Sequence, residues 1–312
     1  MLNGFVFRHI DRAPLEPIAP PRTLGERHPN VIGLSLFRKS CYNNDDWWAT
    51  RKGRQKMGLQ VEFERLELKY LLDEVTAEKV RRAILPFCSP DTHNGRSGRG
   101  YWITTLYFDS PRLAFFRANE RADGDRFKLR ARIYDPSGDV HLEIKRKRGD
   151  VVRKERVVVD RSEWVDATRG FGRPRHDGTS QERVLQSFAQ LMAQYGAEPQ
   201  LVVEYEREAY VSPRGEYARV SFDRKVSYFS TYEHSFESER LGQRPLALGE
   251  DARSAAVVLE LKCETHVPPF MVDVIRRYEL HRVGLSKYTR ATRAKLAEAR
   301  VTDPWLERMA HG

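Results

Sequence analysis

The sequence predicts an α+β protein with a mainly antiparallel sheet, whose eight strands close into a tunnel with a cationic interior and with helices packed outside. Apolar and polar residues alternate with a period of two in eight segments, which is typical of strands that bury one face. Most connections between these segments are short or contain a single helix, as in antiparallel sheets. Closure into a barrel would leave none of the strands with an open edge.

The strands can be assigned in chain order from this alternation. In the first strand Leu66, Leu68 and Tyr70 alternate with Glu67 and Lys69, so one face is apolar and the other charged. The third and fourth strands are joined by PSGD, which predicts a hairpin turn. The eight predicted strands are VEFERLELKYLL, YWITTLYFD, RFKLRARIYD, VHLEIKRK, RKERVVVD, LVVEYEREAY, YARVSFDRKVSYF and AAVVLELKCE.

Helices are predicted from capping residues and from the amphipathic period. Thr76 can cap a helix that runs through AEKVRRAIL. Pro111 suits the first turn of a short helix in SPRLAFFRAN. A longer amphipathic helix is predicted over residues 180–195, because Gly196 can end it. The last two predicted helices lie in PPFMVDVIRRYELHRVG and after Ser286.

The chain divides into three parts by composition. Residues 1–58 are rich in proline and polar residues and show no persistent period, which predicts a flexible N-terminal extension. Residues 59–300 contain all the predicted strands and form the predicted domain, and residues 301–312 are a predicted C-terminal tail. Residues 93–100, HNGRSGRG, are predicted to form a basic loop.

Composition restricts the class of function. The 312 residues carry a formal net charge of +10, which favours an anionic partner such as nucleic acid, an anionic surface or a small polyanion. Cys41, Cys88 and Cys263 form no C-x-x-C pair, which argues against a zinc or dithiol site and favours a reducing compartment, the cytoplasm. No stretch approaches the roughly 18 to 20 apolar residues of a membrane span.

Two neighbouring strands carry rows of cations opposite their apolar faces. In RFKLRARIY the charged face carries Lys128, Arg130 and Arg132, and in HLEIKRK Lys145 shares a face with Glu143. The corresponding faces of the other strands add Glu67, Lys69, Arg207, Arg219, Asp223, Glu260 and Lys262. If the apolar faces pack on helices, these charged faces line the interior of the tunnel.

A cationic interior of this kind needs an anionic ligand. Buried cations repel one another and are costly to desolvate unless they are paired, and the carboxylates here are too few. A triphosphate or a longer phosphate chain would neutralise them and accept arginine side chains bidentately. The carboxylates repel phosphate, so we interpret them as ligands of Mg²⁺ or Mn²⁺, ions that bridge carboxylate and phosphate oxygens.

These segments resemble the VTC (vacuolar transporter chaperone) domain, which belongs to the wider group of triphosphate tunnel metalloenzymes. The matching pieces, in family order over residues 60–295, are RLELKY, YWITTLYFDSP, FKLRARIY, LEIKRK, VEYEREAY, ARVSFD, VLELK and GLSKY. The resemblance implies an eight-stranded antiparallel tunnel that makes polyphosphate from ATP with Mn²⁺ or Mg²⁺. Arg65 replaces the first Glu of the Glu-x-Glu-x-Lys pattern of the wider group, which favours the VTC branch.

The resemblance also implies roles for individual residues. The predicted catalytic residues, which also bind phosphate, are Lys69, Arg130, Arg132 and Lys145. Further phosphate-binding residues are Arg207, Arg219 and Lys287. The predicted metal ligand is Glu260, with Glu67 and Glu143 as weaker candidates. The expected partners are ATP and polyphosphate, together with a membrane protein of the kind that some relatives have.

Three other functions are alternatives, of which two fit the same residues and the third fits them poorly. Water as the acceptor would make the protein an inorganic or nucleoside triphosphatase. A protein without catalysis could bind polyphosphate or an inositol polyphosphate. A nucleic-acid binder would need exposed basic helices with stacking aromatic residues, whereas these cations lie on strands among acids, so no nucleic acid is expected.

Overall fold

The computed structural model describes residues 66–94, 100–134, 136, 138–148, 151–175, 178–213, 217–237, 243–248, 257–264 and 266–302. The strands are β1 (Leu66–Leu72), β2 (Ser89–Pro90), β3 (Tyr101–Asp109), β4 (Asp125–Ile133), β5 (Val140–Arg148), β6 (Val151–Val159), β7 (Glu198–Val211), β8 (Ala218–Ser230), β9 (Arg244–Pro245) and β10 (Val257–Cys263). The helices are α1 (Glu74–Ile84), α2 (Ala114–Glu120), α3 (Trp164–Thr168), α4 (Thr179–Tyr195), α5 (Pro269–Arg277) and α6 (Lys287–Thr302). The predicted extension of residues 1–58 lies outside the described residues.

The described strands form one antiparallel sheet with the eight long strands in the order β1-β10-β8-β7-β3-β4-β5-β6. The short strands β2 and β9 pair with β7 and β8. Each of the eight predicted strands is present, which confirms the α+β class with mainly antiparallel pairing. The prediction of a closed barrel is wrong, because β1 and β6 do not pair in the part of the chain that the structure describes.

A pair of charged side chains connects two strands that lie far apart in the order of the sheet. Nζ of Lys145 on β5 lies 2.8 Å from Oε2 of Glu67 on β1. These strands are first and seventh in the sheet, so the sheet must curl round for them to meet. Paired strands lie only about 4.8 Å apart, whereas β1 and β5 meet through the ends of two long side chains and have no backbone pairing with each other in the described residues.

Helices cover two regions of the outer face. The apolar residues of β1, β8 and β10 pack with α1 and α5, in a cluster that contains Leu68, Ile84 and Met271. Those of β4, β5 and β6 pack with α3 and α4, in a cluster that contains Leu129 and Phe188. The predicted division of β4 into an apolar outer face and a charged inner face is confirmed.

Helix α6 differs from the prediction that the helices pack outside. Tyr288 and Ala291 on α6 are buried with Ile103 and Val203, in an apolar cluster on the inner side of β3 and β7. The ring of Tyr288 stacks on Tyr107 at a centroid distance of 4.8 Å. The first turns of α6 therefore cover the inner surface at the end where β3 finishes, because the inner faces of β3 and β7 are partly apolar and need burial.

Two helix starts also differ from the prediction. Asp73, rather than Thr76, caps α1, since its carboxylate accepts a hydrogen bond of 2.7 Å from the backbone N–H of Thr76. Helix α2 begins after Leu113, so Pro111 lies in the preceding turn. Gly196 ends α4 as predicted, with a φ of 54°. None of the helices in the described ranges has the length and apolar character that a membrane span requires.

Candidate functional site

The inner face of the sheet concentrates charged side chains in a region that we call the trough. Its cations are Lys69, Lys128, Arg130, Arg132, Lys145, Lys154, Arg156, Arg207, Arg219, Lys262 and Lys287. Its carboxylates are Glu67, Glu143, Asp223 and Glu260. The fold thus brings together every predicted phosphate-binding and metal-binding residue, while their roles as ligands stay predictions. Cations outnumber carboxylates, so the trough has a positive charge.

Glu143 is enclosed by arginine side chains from both neighbouring strands. Strand pairing sets Arg130 of β4 and Arg156 of β6 on either side of it. Each guanidinium approaches a carboxylate oxygen of Glu143 to 2.5 Å, and the Glu143 side chain has no exposed surface. Burial by itself would raise the pKa of Glu143, but the arginines outweigh it and hold this pKa well below its ordinary value.

Lys128 lies among cations and, unlike Glu143, has no ion-pair partner of opposite charge among the described residues to offset its burial. Its Nζ donates a hydrogen bond of 2.8 Å to Oγ of Ser286, and no ion pair with a carboxylate involves it among the described residues. Burial, followed by repulsion from Lys145 and Lys69, holds the pKa of Lys128 well below the ordinary lysine value. An anion placed beside Lys128 would reverse this shift, so the position suits a phosphate oxygen.

Lys69 connects the carboxylates of two neighbouring strands. Its Nζ lies 3.4 Å from Glu67 on its own strand and 3.6 Å from Glu260 on β10. It also donates a hydrogen bond of 3.1 Å to the carbonyl oxygen of Leu285, just before α6. Burial would lower the pKa of Lys69, but the two carboxylates raise it. Lys69 is therefore charged in the absence of ligand, and its role as a phosphate ligand stays a prediction.

Asp223 and Glu260 form the centre of the second charged cluster. Arg207 donates to both oxygens of Asp223, at 2.6 and 2.7 Å, and to Glu260 at 3.1 Å. Nζ of Lys287, at the start of α6, lies 2.5 Å from Asp223 and 3.3 Å from Glu260. Lys262 approaches Glu260 to 2.8 Å. Burial would raise the pKa of Glu260, but these cations hold it well below its ordinary value.

Arg219 lies towards the end of the trough where β3 begins. Its Nη2 is 2.5 Å from a carboxylate oxygen of Asp91 and 3.3 Å from the hydroxyl of Tyr101. Burial alone would raise the pKa of Asp91, but His93 and Arg219 lower it to about 2. This pairing holds Arg219 at the margin of the trough.

Glu143 does not fit the predicted role of a weaker metal candidate. Its two oxygens already accept from Arg130 and Arg156, and replacing these partners would strand two buried guanidinium groups. No group of three His, Cys, Asp or Glu side chains in the described ranges could hold a metal ion by itself. An enclosed metal cage made of protein ligands alone therefore does not fit these residues.

Glu260 and Glu67 fit a divalent ion that keeps water and phosphate as its other ligands. Mg²⁺ takes one or two carboxylates in sites of this kind, and Mn²⁺ prefers the same hard oxygen ligands. Ser221 supplies an independent observation, since it lies directly opposite Glu260 in the pairing of β8 with β10. Its buried hydroxyl oxygen has no hydrogen-bond partner among the residues that the structure describes. An unsatisfied hard oxygen beside Glu260 is what a bound cation would use.

Some residues of the trough have no role that the sequence predicted. In RKERVVVD, Arg153 and Glu155 flank Lys154 and precede Arg156, so both faces of this segment begin with charges and the rule used for β4 does not single out either face. Lys154 and Arg156 pair with Lys145 and Glu143 on β5. Lys128, Asp223 and Lys262 were placed on charged faces without a role. The glutamates beside Arg207 lie outside the trough in ion pairs, Glu206 with Lys225 and Glu208 with Arg224.

Comparison with known families gives one match over most of the chain. The model of the VTC domain matches residues 64–295. This span contains every residue of the trough. A search among curated proteins finds no matching sequence.

Solved structures with a similar arrangement share little sequence with this chain. A protein described as a candidate adenylate cyclase from Bacillus halodurans has 13% identity and a TM-score of 0.40, over 72% of this chain and 95% of that one. A protein from Pyrococcus horikoshii OT3 has 14% identity and a TM-score of 0.39, over 74% and 99%. A protein described as a candidate adenylate cyclase from Vibrio parahaemolyticus has 12% identity and a TM-score of 0.38, over 74% and 98%.

Proposed function

Because this chain belongs to the VTC domain family, we propose that it is a metal-dependent phosphotransferase, which moves the terminal phosphoryl group of ATP to a growing polyphosphate chain. The observation that carries the proposal is the excess of cations over carboxylates in the trough, seen most directly at Lys128. Lys128 is half-buried, and a cation that is partly removed from water without a carboxylate partner costs free energy in the empty protein. A phosphate chain supplies the missing negative charge along the whole length of the trough.

The geometry supports several phosphate contacts at once. Arg130 and Arg132 can each donate two parallel hydrogen bonds to phosphate oxygens, while Lys128 and Lys145 act as point charges beside them. Arg132 donates a hydrogen bond of 3.1 Å to the hydroxyl of Thr105 and forms no ion pair of its own with a carboxylate of the described residues. These side chains need small rotations, rather than a new fold, to meet phosphate.

The reaction needs few groups beyond these cations. The bond from the terminal phosphorus to its bridging oxygen breaks, and ADP leaves with the electron pair. A terminal oxygen of the polyphosphate acceptor forms the new bond to phosphorus. Negative charge spreads over the transferred group in the transition state, so the trough lowers the barrier by positioning and by electrostatic stabilisation.

Glu260, with Glu67 and Ser221 nearby, would hold Mn²⁺ or Mg²⁺. When bound, the ion would neutralise charge on phosphate oxygens as the terminal bond breaks. Lys69 and Lys287, which pair with Glu260 in the absence of ligand, would then be released to bind phosphate. The protein's own contribution is therefore an exchange of ion-pair partners within the trough.

Product analysis tests the proposal. The pure full-length protein is incubated with ATP and Mn²⁺, and the released phosphate is separated into polymer and orthophosphate. We expect polymer from the wild type, little product from Lys145→Met in the trough, and wild-type product from Lys225→Met outside it. Orthophosphate alone would make the protein a triphosphatase, and binding without any product would make it a polyphosphate-binding module. Either result would overturn the proposed transfer.

A further inference from the structure

Three partly buried aromatic rings stand together at the end of the trough away from α6. Tyr101 is the first residue of β3, whereas Tyr107, near the other end of that strand, contacts α6. The ring centroid of Tyr101 lies 5.4 Å from that of His93 and 6.2 Å from that of Tyr134, and the rings of His93 and Tyr134 are 6.3 Å apart. We call these three residues the aromatic end.

The ring of His93 is fixed by its neighbours in the absence of ligand. Asp91 is buried, and its Oδ1 lies 2.6 Å from Nδ1 of His93 and 2.9 Å from the backbone nitrogen of His93. Asn94 anchors this segment to β7, because its side chain exchanges hydrogen bonds of 2.6 and 2.9 Å with the backbone of Ala209. A preorganised ring loses little conformational entropy when a ligand packs on it.

Each of the two tyrosine rings borders a cation of the trough. Tyr101 is paired with Arg207 in the register of β3 and β7, and its hydroxyl is 3.3 Å from Arg219. The hydroxyl of Tyr134 accepts a hydrogen bond of 2.9 Å from Arg156. A ligand that fills the trough and continues past these cations would reach the rings next.

We propose that the aromatic end binds the base of a nucleoside triphosphate whose phosphates lie in the trough. This inference rests on the proposed function, which takes ATP as the donor, and it adds the place where the base of that nucleotide is bound. A nucleotide joins a flat aromatic group to its phosphates, and bases stack on aromatic side chains. An inorganic chain has no such group and gains nothing from the rings.

The aromatic end offers stacking surfaces rather than free hydrogen-bonding groups for a base. The oxygens of Asp91 are engaged by His93 and Arg219. Stacking tolerates any base, because every base has a π-face. The proposal therefore includes similar binding of ATP and GTP.

Titration calorimetry with ATP and with tripolyphosphate tests the subsite. Both ligands are measured in EDTA, so that neither is turned over in a metal-dependent reaction. In His93→Ala we expect the affinity for ATP to fall about 5- to 150-fold, the equivalent of about 1 to 3 kcal/mol for one stacked base. The affinity of His93→Ala for tripolyphosphate should stay within about twofold of the wild-type value, a change of less than about 0.5 kcal/mol. Trp102→Leu is the matched control, because this exposed ring lies next to Tyr101 on the opposite face of β3.

The two ligands separate the outcomes. An equal loss of affinity for both ligands in His93→Ala, or an unchanged affinity for ATP, would overturn the subsite and make the three rings a packing cluster. Tyr101→Leu repeats the comparison with a second ring, and retained tripolyphosphate binding reports that each variant is folded. The product analysis described above is unaffected by these results. A wild type that bound neither ligand would overturn the proposed function itself.

Discussion

Lys145 and Glu67 meet across the trough, with Nζ 2.8 Å from Oε2, although their strands β5 and β1 are not neighbours in the sheet. This side-chain contact links the first strand of the sheet to the seventh, while the edge strands β1 and β6 have no backbone pairing among the described residues. Lys145 is also a predicted phosphate ligand. A phosphate chain in the trough would therefore compete with Glu67 for Lys145, which couples ligand binding to the approach of β1 and β5.

Replacing Lys128 should stabilise the ligand-free protein. Lys128 lies among cations and forms no ion pair with a described carboxylate, so Lys128→Met removes repulsion and a half-buried charge. The melting temperature without ligand should rise, and its increase on addition of tripolyphosphate should shrink. Thermal melts with and without tripolyphosphate measure both effects. A lower melting temperature without ligand would contradict the electrostatic argument.

Arg130→Ala should have the opposite effect on stability. Arg130 is paired with the fully buried Glu143, which would keep only part of its compensation from Arg156. We expect a loss of about 1 to 3 kcal/mol in the free energy of unfolding without ligand, the usual cost of an unsatisfied buried group. Tripolyphosphate binding should weaken by about 1.5 to 3 kcal/mol, the scale of a hydrogen bond to a charged group. If tripolyphosphate raised the melting temperature of Arg130→Ala as much as that of wild type, Arg130 would stabilise the fold without binding phosphate.

Leu129→Ala tests the outer face of the same strand. Leu129 has no exposed surface and packs in the cluster with Phe188 of α4. Truncating it should cost about 2 to 5 kcal/mol of stability, with unchanged affinity for tripolyphosphate in the folded fraction. Denaturant unfolding and calorimetry measure the two quantities. The control is Val75→Ala, since Val75 is 66% exposed and should have little effect. Equal losses of stability in both variants would argue against the packing of β4.

Glu260→Gln should remove metal-dependent turnover while the fold is retained. Four trough cations approach this carboxylate, so the variant should also lose about 1 to 3 kcal/mol of stability without ligand. Binding of Mn²⁺, followed by electron paramagnetic resonance, should weaken by at least about tenfold, the effect of losing even an outer partner of a metal site. Glu206→Gln, outside the trough, is the control. Turnover that survives in the variant or in EDTA would exclude the metal role.

Tyr134 should make stability depend on pH in the alkaline range. Burial alone would raise the pKa of Tyr134, but Arg156 and Arg132 lower it to about 7. The pKa of an unfolded tyrosine is about 10, so between these values the unfolded chain binds one more proton. The stability difference between wild type and Tyr134→Phe should therefore grow as pH rises from 7 towards 10, by up to about 1.4 kcal/mol per pH unit, and should not depend on pH below this range.

A pH titration of phenolate absorbance provides the direct measurement. Wild type should show one ionisation near the lowered pKa of Tyr134 that is missing in Tyr134→Phe. Tyr101 serves as an internal contrast, because burial raises its pKa to about 12. If the titration curves of wild type and Tyr134→Phe coincided between about pH 7 and 10, Arg156 and Arg132 would not stabilise the phenolate.

Much of the candidate site could be predicted because it depends on a local rule. Side chains two residues apart share a face of a strand, so the alternation in RFKLRARIY places Arg130 and Arg132 together wherever the strand lies. The same rule placed Lys69 beside Glu67 and kept Leu129 on the apolar face. Lys154 and Arg156 were not found by this rule, because Arg153 and Glu155 put charges on the opposite face of their strand as well.

The sequence by itself determined the strands, their two faces and the surplus of positive charge, since each follows from residues close together in the chain. Only the tertiary structure decided which charges become partners, because this depends on which distant strands lie side by side. Arg156 forms an ion pair with Glu143 because β6 pairs with β5, and Lys287 contacts Asp223 because the start of α6 lies at the trough. Whether β1 and β6 pair was decided in the same way, because it depends on where two strands from distant parts of the chain lie, and they do not pair among the described residues.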